Sequence, residues 1–128
     1  YEDCGFDYGL SVDHVILGYR ADLDKHLTGI DMVPEVWRSR QTITLELAEE
    51  FLKYCLRKQY RFTPIGVAQG WSPESYKHAV DVLQRLGYRY IAFGGFVPLK
   101  TSDILACLDA ANSVRNVTTE FHLLGVTR

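Results

Sequence analysis

Three places in this chain set polar or bare-backbone chemistry directly after a short apolar run. Ser11-Val12-Asp13-His14 closes one run, Gln69-Gly70 a second and Gly94-Gly95-Phe96 a third. An ionised carboxylate only accepts hydrogen bonds, a glutamine amide donates and accepts, and glycine lets a main-chain N–H approach a flat ring closely. Asp13, Gln69 and Gly95 therefore suit the edge of a purine. Guanine offers N1–H and N2–H2 as two parallel donors for one carboxylate, and its O6 accepts. The same logic admits a pterin, a uracil or an amidine. Each residue also has a plainer role: Asp13 as a cap of the next turn, Gln69-Gly70 as an ordinary strand-to-turn pair, Gly94-Gly95 as a sharp bend.

Other chemically capable residues carry less. His14 points away from Asp13 if the strand persists, which makes it a packing or supporting group. His26 and His78 read as solvated and His122 as a core histidine, and no histidine pair has metal-ligand spacing. Cys4, Cys55 and Cys107 form no CxxC pair and read as small core fillers. Arg38 and Arg40 could meet phosphates, although a solvated helix approach is the simpler reading. Trp71 either walls the pocket or packs under a loop. There is no GxGxxG and no Walker loop.

The elements that must position these residues alternate. Gly5 to Leu17 reads as strand, with its β-rich part ending at Asp13, and Gly18 to about Arg40 as a polar loop. Thr42 to about Arg57 reads as helix, with Leu47, Ala48, Phe51, Leu52 and Cys55 on one stripe. Ile65 to Ala68 is a short strand. Ser72-Pro73-Glu74 starts a helix that carries Tyr76, Ala79, Val80, Leu83 and Leu86 inward and stops at Gly87. Tyr90 to Phe93 is a strand, Thr101 to Ala111 a helix with Ile104, Leu105, Leu108 and Ala111 inward, and Phe121 to Val126 a last strand. Short apolar strands without alternation imply a parallel sheet covered by helices. This α/β pattern of parallel βα repeats suits either a doubly wound sheet or a partial (β/α)8 barrel of the TIM type, and function gathers at the carboxyl ends of the strands in both.

Composition bounds the rest. The chain has 128 residues, 47% hydrophobic and 23% charged, enough to bury a core and argue against wholesale disorder. A net charge of −2 excludes a global basic field, so nucleic acid must be gripped by a local patch or by parts beyond this segment. Apolar runs reach only four or five residues, too short to span a membrane. A full barrel needs about 250 residues. With Tyr1 first and Met32 the only methionine, residues 1–128 are expected to be the central segment of one barrel, truncated at both ends. Unpaired cysteines point to the reduced cytoplasm.

Gly66-Val67-Ala68-Gln69-Gly70, a helix, then Leu86-Gly87-Tyr88-Arg89-Tyr90-Ile91-Ala92-Phe93-Gly94-Gly95-Phe96 resembles the core signature of the tRNA-guanine transglycosylase family, a QG turn and a GG turn about 25 residues apart. Gly5-Phe6-Asp7-Tyr8 to Asp13 resembles its strand ending in the base-recognising aspartate. Phe121 to Arg128 resembles the strand before the nucleophile segment. The resemblance implies a (β/α)8 pentosyltransferase that exchanges guanine in a nucleic acid, tRNA or DNA, for a 7-deazaguanine of the queuosine type. In such enzymes an aspartate attacks the ribose C1′, displaces guanine, and is itself displaced by the incoming base.

Carried over by residue, the resemblance makes Asp13 the holder of the N1/N2 edge and gives O6 to Gln69 and the Gly95 N–H. Gly70 and Gly94 complete the two turns, and Phe96 takes the place of the backbone carbonyl contact that follows the glycines. No catalytic residue and no metal ligand falls within the segment. The family's nucleophile and its zinc ligands would lie outside it, so the segment alone is expected to be inactive and to hold no cofactor. The chain departs from the tRNA-acting pattern at Trp71, at His14-Val15 and at Phe96, and the His14 variant and the Gln69-Gly70-Trp71-Ser72-Pro73 turn look more like the branch that places 7-deazaguanines in DNA. Two alternatives stand beside this: a non-catalytic barrel subunit that binds a nucleobase or nucleic acid, and an unrelated barrel enzyme for a small metabolite. Half a barrel has two open sheet edges, so a homo- or hetero-oligomer is also expected.

Overall fold

In the computed structural model, which describes residues 7–25 and 33–126, the apolar runs form strands that pair in chain order. They are β1 (Tyr8–Leu10), β2 (Thr63–Ala68), β3 (Tyr90–Phe93) and β4 (Glu120–Leu123). All three pairings are parallel, with Leu10 opposite Ile65, Ile65 opposite Tyr90, and Ile91 opposite Phe121. Helices α1 (Glu35–Lys58), α2 (Pro73–Leu86) and α3 (Thr101–Asn112) make the crossovers. The order β1-β2-β3-β4 never reverses. The described strands therefore wind in one sense, as along a barrel or within one half of a doubly wound sheet.

The interior is built on β2 and β3. Ala68, Ile91 and Phe93 are fully buried in the layer that α2 covers between α1 and α3, and Val67 and Ala92, on the opposite face, are fully buried as well. Tyr76, Ala79, Val80 and Leu83 of α2 fill that layer as their spacing predicts. The ends of α2 follow from sequence. Ser72 accepts from the Ser75 N–H, the Ser75 hydroxyl returns to the Ser72 N–H, Pro73 occupies the first turn, and Gly87 closes the helix at φ 117°. Such a cap contributes about 1 kcal/mol.

Several boundaries differ from the sequence expectation. Regular strand ends at Leu10, and residues 11–20 run as an irregular strap. The long loop is interrupted by a 3-10 turn at Ala21–Lys25. Helix α1 begins at Glu35 rather than Thr42. Pro34 starts it, its carbonyl taking the N–H groups of Trp37 and Arg38. The helix was hidden because the buried side of its first turns is polar, with Gln41 and Thr44 facing inward. β2 begins two residues early and includes Pro64, which sits opposite Gly9 just before pairing with β3 starts. On α3, Leu105 is 54% exposed and Cys107 takes the inward position instead. β4 is an edge strand ending at Leu123, and His122 is exposed rather than a core histidine. The readings on Cys4, Gly5, Phe6, His26, Gly29, Met32, Thr127 and Arg128 lie outside the described residues.

Candidate functional site

The carboxyl ends of β1, β2 and β3 meet at one point. Ser11 extends the β1–β2 pairing by one bond, its N–H reaching the Ile65 carbonyl at 2.9 Å, while its hydroxyl takes the Val67 N–H at 3.1 Å. The chain then leaves the sheet, and the half-buried Asp13 turns toward the end of β2. The Gln69 Nε2 donates to Asp13 Oδ2 at 2.6 Å. Gln69 is 1% exposed, and a buried amide must be paired. Its Oε1 accepts the Ile16 N–H at 3.1 Å, which fixes the amide with its nitrogen toward the carboxylate.

The β3 turn closes the third side. A Cβ on Gly94 would sit 2.2 Å from Gln69 Nε2 and 3.5 Å from Asp13 Oδ2. Gly95 has φ 84°, which a side chain rarely tolerates, and a Cβ there would be 2.8 Å from the Ile16 carbonyl. Glycines are thus needed for closeness as well as for the bend. The buried Tyr76 hydroxyl donates to the Gly94 carbonyl at 2.8 Å and pins this turn from α2. Gly70 is packed against Ser75 and Tyr76, where a Cβ would lie 2.6 Å from Ser75 Oγ. The Phe96 ring is fully buried, stacked on Phe93 and tilted against Tyr76, and its carbonyl accepts the Leu99 N–H at 3.0 Å.

Sequence reasoning missed the residues that hold these loops. Gln41 uses Nε2 to donate to the carbonyls of Gln69 and Ser75, each at 2.9 Å. Thr44, fully buried, accepts the His14 N–H on Oγ1 at 2.8 Å. Arg40, read from the sequence as a phosphate contact or a solvated helix approach, is exposed and donates to the Val15 carbonyl at 2.6 Å. The available signal was spacing: 41, 44, 48, 52 and 55 continue one helical stripe, with the first two positions polar.

The remaining candidates sort apart. The His14 and His78 side chains are exposed. Arg38 is half-buried, its Nε without a hydrogen-bond partner among the described residues. Trp71 packs under the strap with Ile16, Leu23 and Val33 rather than at the site. Cys55 and Cys107 are buried free thiols. Burial pushes both up, Cys107 to about 11, which keeps them protonated and poor as ligands or nucleophiles. No three His, Cys, Asp or Glu side chains among the described residues could hold a metal, so these residues do not fit zinc. An open groove of about 520 Å³ lies between Val12 and α1, lined by Leu47, Phe51, Tyr54 and Arg57, apart from Asp13 and Gln69. No described helix is long and apolar enough to cross a membrane.

The loop after β1 also reaches α2. Asp24 accepts the Ser72 hydroxyl at 2.8 Å and the Glu74 N–H at 3.0 Å. An acid thus already occupies the start of that helix.

No model of a known protein family matches the chain. A curated protein does: a DNA-guanine transglycosylase from Salmonella montevideo is 42% identical over 132 aligned positions. The alignment takes in the whole of this chain, which spans about 30% of that relative's length.

Proposed function

We propose, starting from a chain that belongs to the guanine transglycosylase family, that these strand ends hold the base during exchange of guanine for a 7-deazaguanine in DNA. Residues 1–128 are then the central segment of a (β/α)8 barrel, and the protein works on nucleic acid in the cytoplasm. The observation that carries the reading is the Asp13–Gln69 pair, bonded at 2.6 Å under two glycines too close for any side chain. The carboxylate keeps acceptor capacity for the N1–H and N2–H2 edge. Gln69 Nε2 has a second hydrogen for O6, and the Ile16 N–H on Oε1 keeps that nitrogen turned toward the carboxylate. Gly95 supplies a main-chain donor beside it. DNA is preferred as the polymer because the relative's name specifies it.

This segment recognises the base, and bond breaking at the ribose is left to residues outside it.

The test is incorporation of labelled guanine and of 7-cyano-7-deazaguanine into DNA and, separately, tRNA by the complete gene product. Label is expected in DNA. Asp13→Asn places a donor where the base needs an acceptor and should cut exchange by about 100-fold, the cost of losing charge-assisted bonds. A folded protein that labels neither polymer, or an Asp13→Asn variant as active as the parent, overturns the proposal.

A further inference from the structure

We infer that α1 positions the base-reading pair through two buried polar side chains, Gln41 for Gln69 and Thr44 for Asp13. This rests on the function proposed above. Both residues stand on the stripe that continues as Ala48, Leu52 and Cys55, where an apolar side chain would pack without any polar group to satisfy. Each is spent on the site's own backbone. The Gln41 amide ties the carbonyl of Gln69 to that of Ser75 in the first turn of α2, so the QG turn is fixed relative to two helices. The Thr44 hydroxyl oxygen takes the N–H of His14, the residue after Asp13. Two residues further on, the Ile16 N–H is taken by Gln69 itself.

Asp13 lies in an irregular strap, outside any strand ladder. Thr44 and Gln69 hold the backbone just after it, at His14 and Ile16. One rigid helix therefore sets the position of the acid and of the amide together. Edge-on reading of a flat base by one carboxylate tolerates little displacement. A purely structural role for these residues predicts lower melting temperature with unchanged base affinity in the folded protein. A positioning role predicts weaker base binding at temperatures where the protein is fully folded.

The experiment compares Thr44→Val, which keeps shape and removes the acceptor, with Thr44→Ser, which keeps the acceptor. Gln41→Met is a second, independent variant that keeps length and removes both donors. Guanine affinity is measured by calorimetry on the complete gene product, and KM for guanine is separated from kcat in the exchange assay. Thr44→Val and Gln41→Met should each weaken guanine binding and raise KM about tenfold, with kcat little changed, as expected for loss of uniform binding. Thr44→Ser should return both to near the parent. Parent-like guanine binding by Thr44→Val and Gln41→Met, or equal weakness of Thr44→Val and Thr44→Ser, overturns the inference while leaving the function intact. Failure of the parent itself to bind guanine overturns the function and this inference with it.

Discussion

β2 and β3 run side by side and end at the same rim, yet they deliver opposite things. β2 ends in a side chain, Gln69, whose amide is engaged at both heteroatoms and whose carbonyl is held by Gln41. β3 ends in no side chain at all. It contributes Gly94 and Gly95, and the space they leave is what lets Gln69 occupy its position. The functional group of one turn thus depends on the emptiness of its neighbour.

The comparison is broken most directly at Gly94. Gly94→Ala puts a methyl 2.2 Å from a buried amide nitrogen that has its hydrogen bond to Asp13 to lose if it moves. Guanine affinity should fall by about 100-fold, the scale of a misplaced recognition group, in calorimetric titration. Undiminished affinity would show that β3 does not constrain the β2 side chain. A smaller effect sharpens the contrast from below. Tyr76→Phe removes the donor to the Gly94 carbonyl and should cost about 1.5 kcal/mol in urea denaturation, the loss of one buried hydrogen bond.

The smallest expected effect concerns the layer beneath the β3 turn. There burial raises the Tyr76 and Tyr19 hydroxyls and the Cys107 thiol, with nearby charges adding to it. Cys107 moves from an ordinary 9.0 to about 11. In the alkaline range the unfolded chain gives up this proton while the folded chain keeps it. Stability is therefore full below about pH 8 and falls as pH rises through 9 to 11, by about 1 kcal/mol from Cys107 at pH 10. The urea midpoint at pH 8 and at pH 10, in the parent and in Cys107→Ala, measures it. A pH dependence identical in the two proteins would remove Cys107 as a contributor.

The contrast between the turns also explains what could be read without coordinates. Gln69 and Asp13 announce themselves by residue type at the end of an apolar run, and Ser72-Pro73 and Gly87 mark α2 to the residue. Gly94-Gly95 could be located but not interpreted, since a close approach is a property of the neighbour it admits. Gln41 and Thr44 were illegible for a different reason. Periodicity is recognised by apolar residues, and the first turns of α1 bury polar ones. The same blindness placed the start of that helix seven residues late. Phe96 was identified through its backbone, while its ring belongs to the aromatic core with Phe93 and Tyr76. Leu105 and His122 were misplaced because a short helix and an edge strand offer little pattern against which to choose a face.

Asp24 has a bearing on which ligands the start of α2 can take. Its two carboxylate oxygens already occupy the hydroxyl and N–H at the beginning of α2, the end of a helix where an incoming phosphodiester would otherwise be welcomed. Any anion approaching that end of α2 meets a carboxylate already seated there, so this helix start is closed to a phosphate.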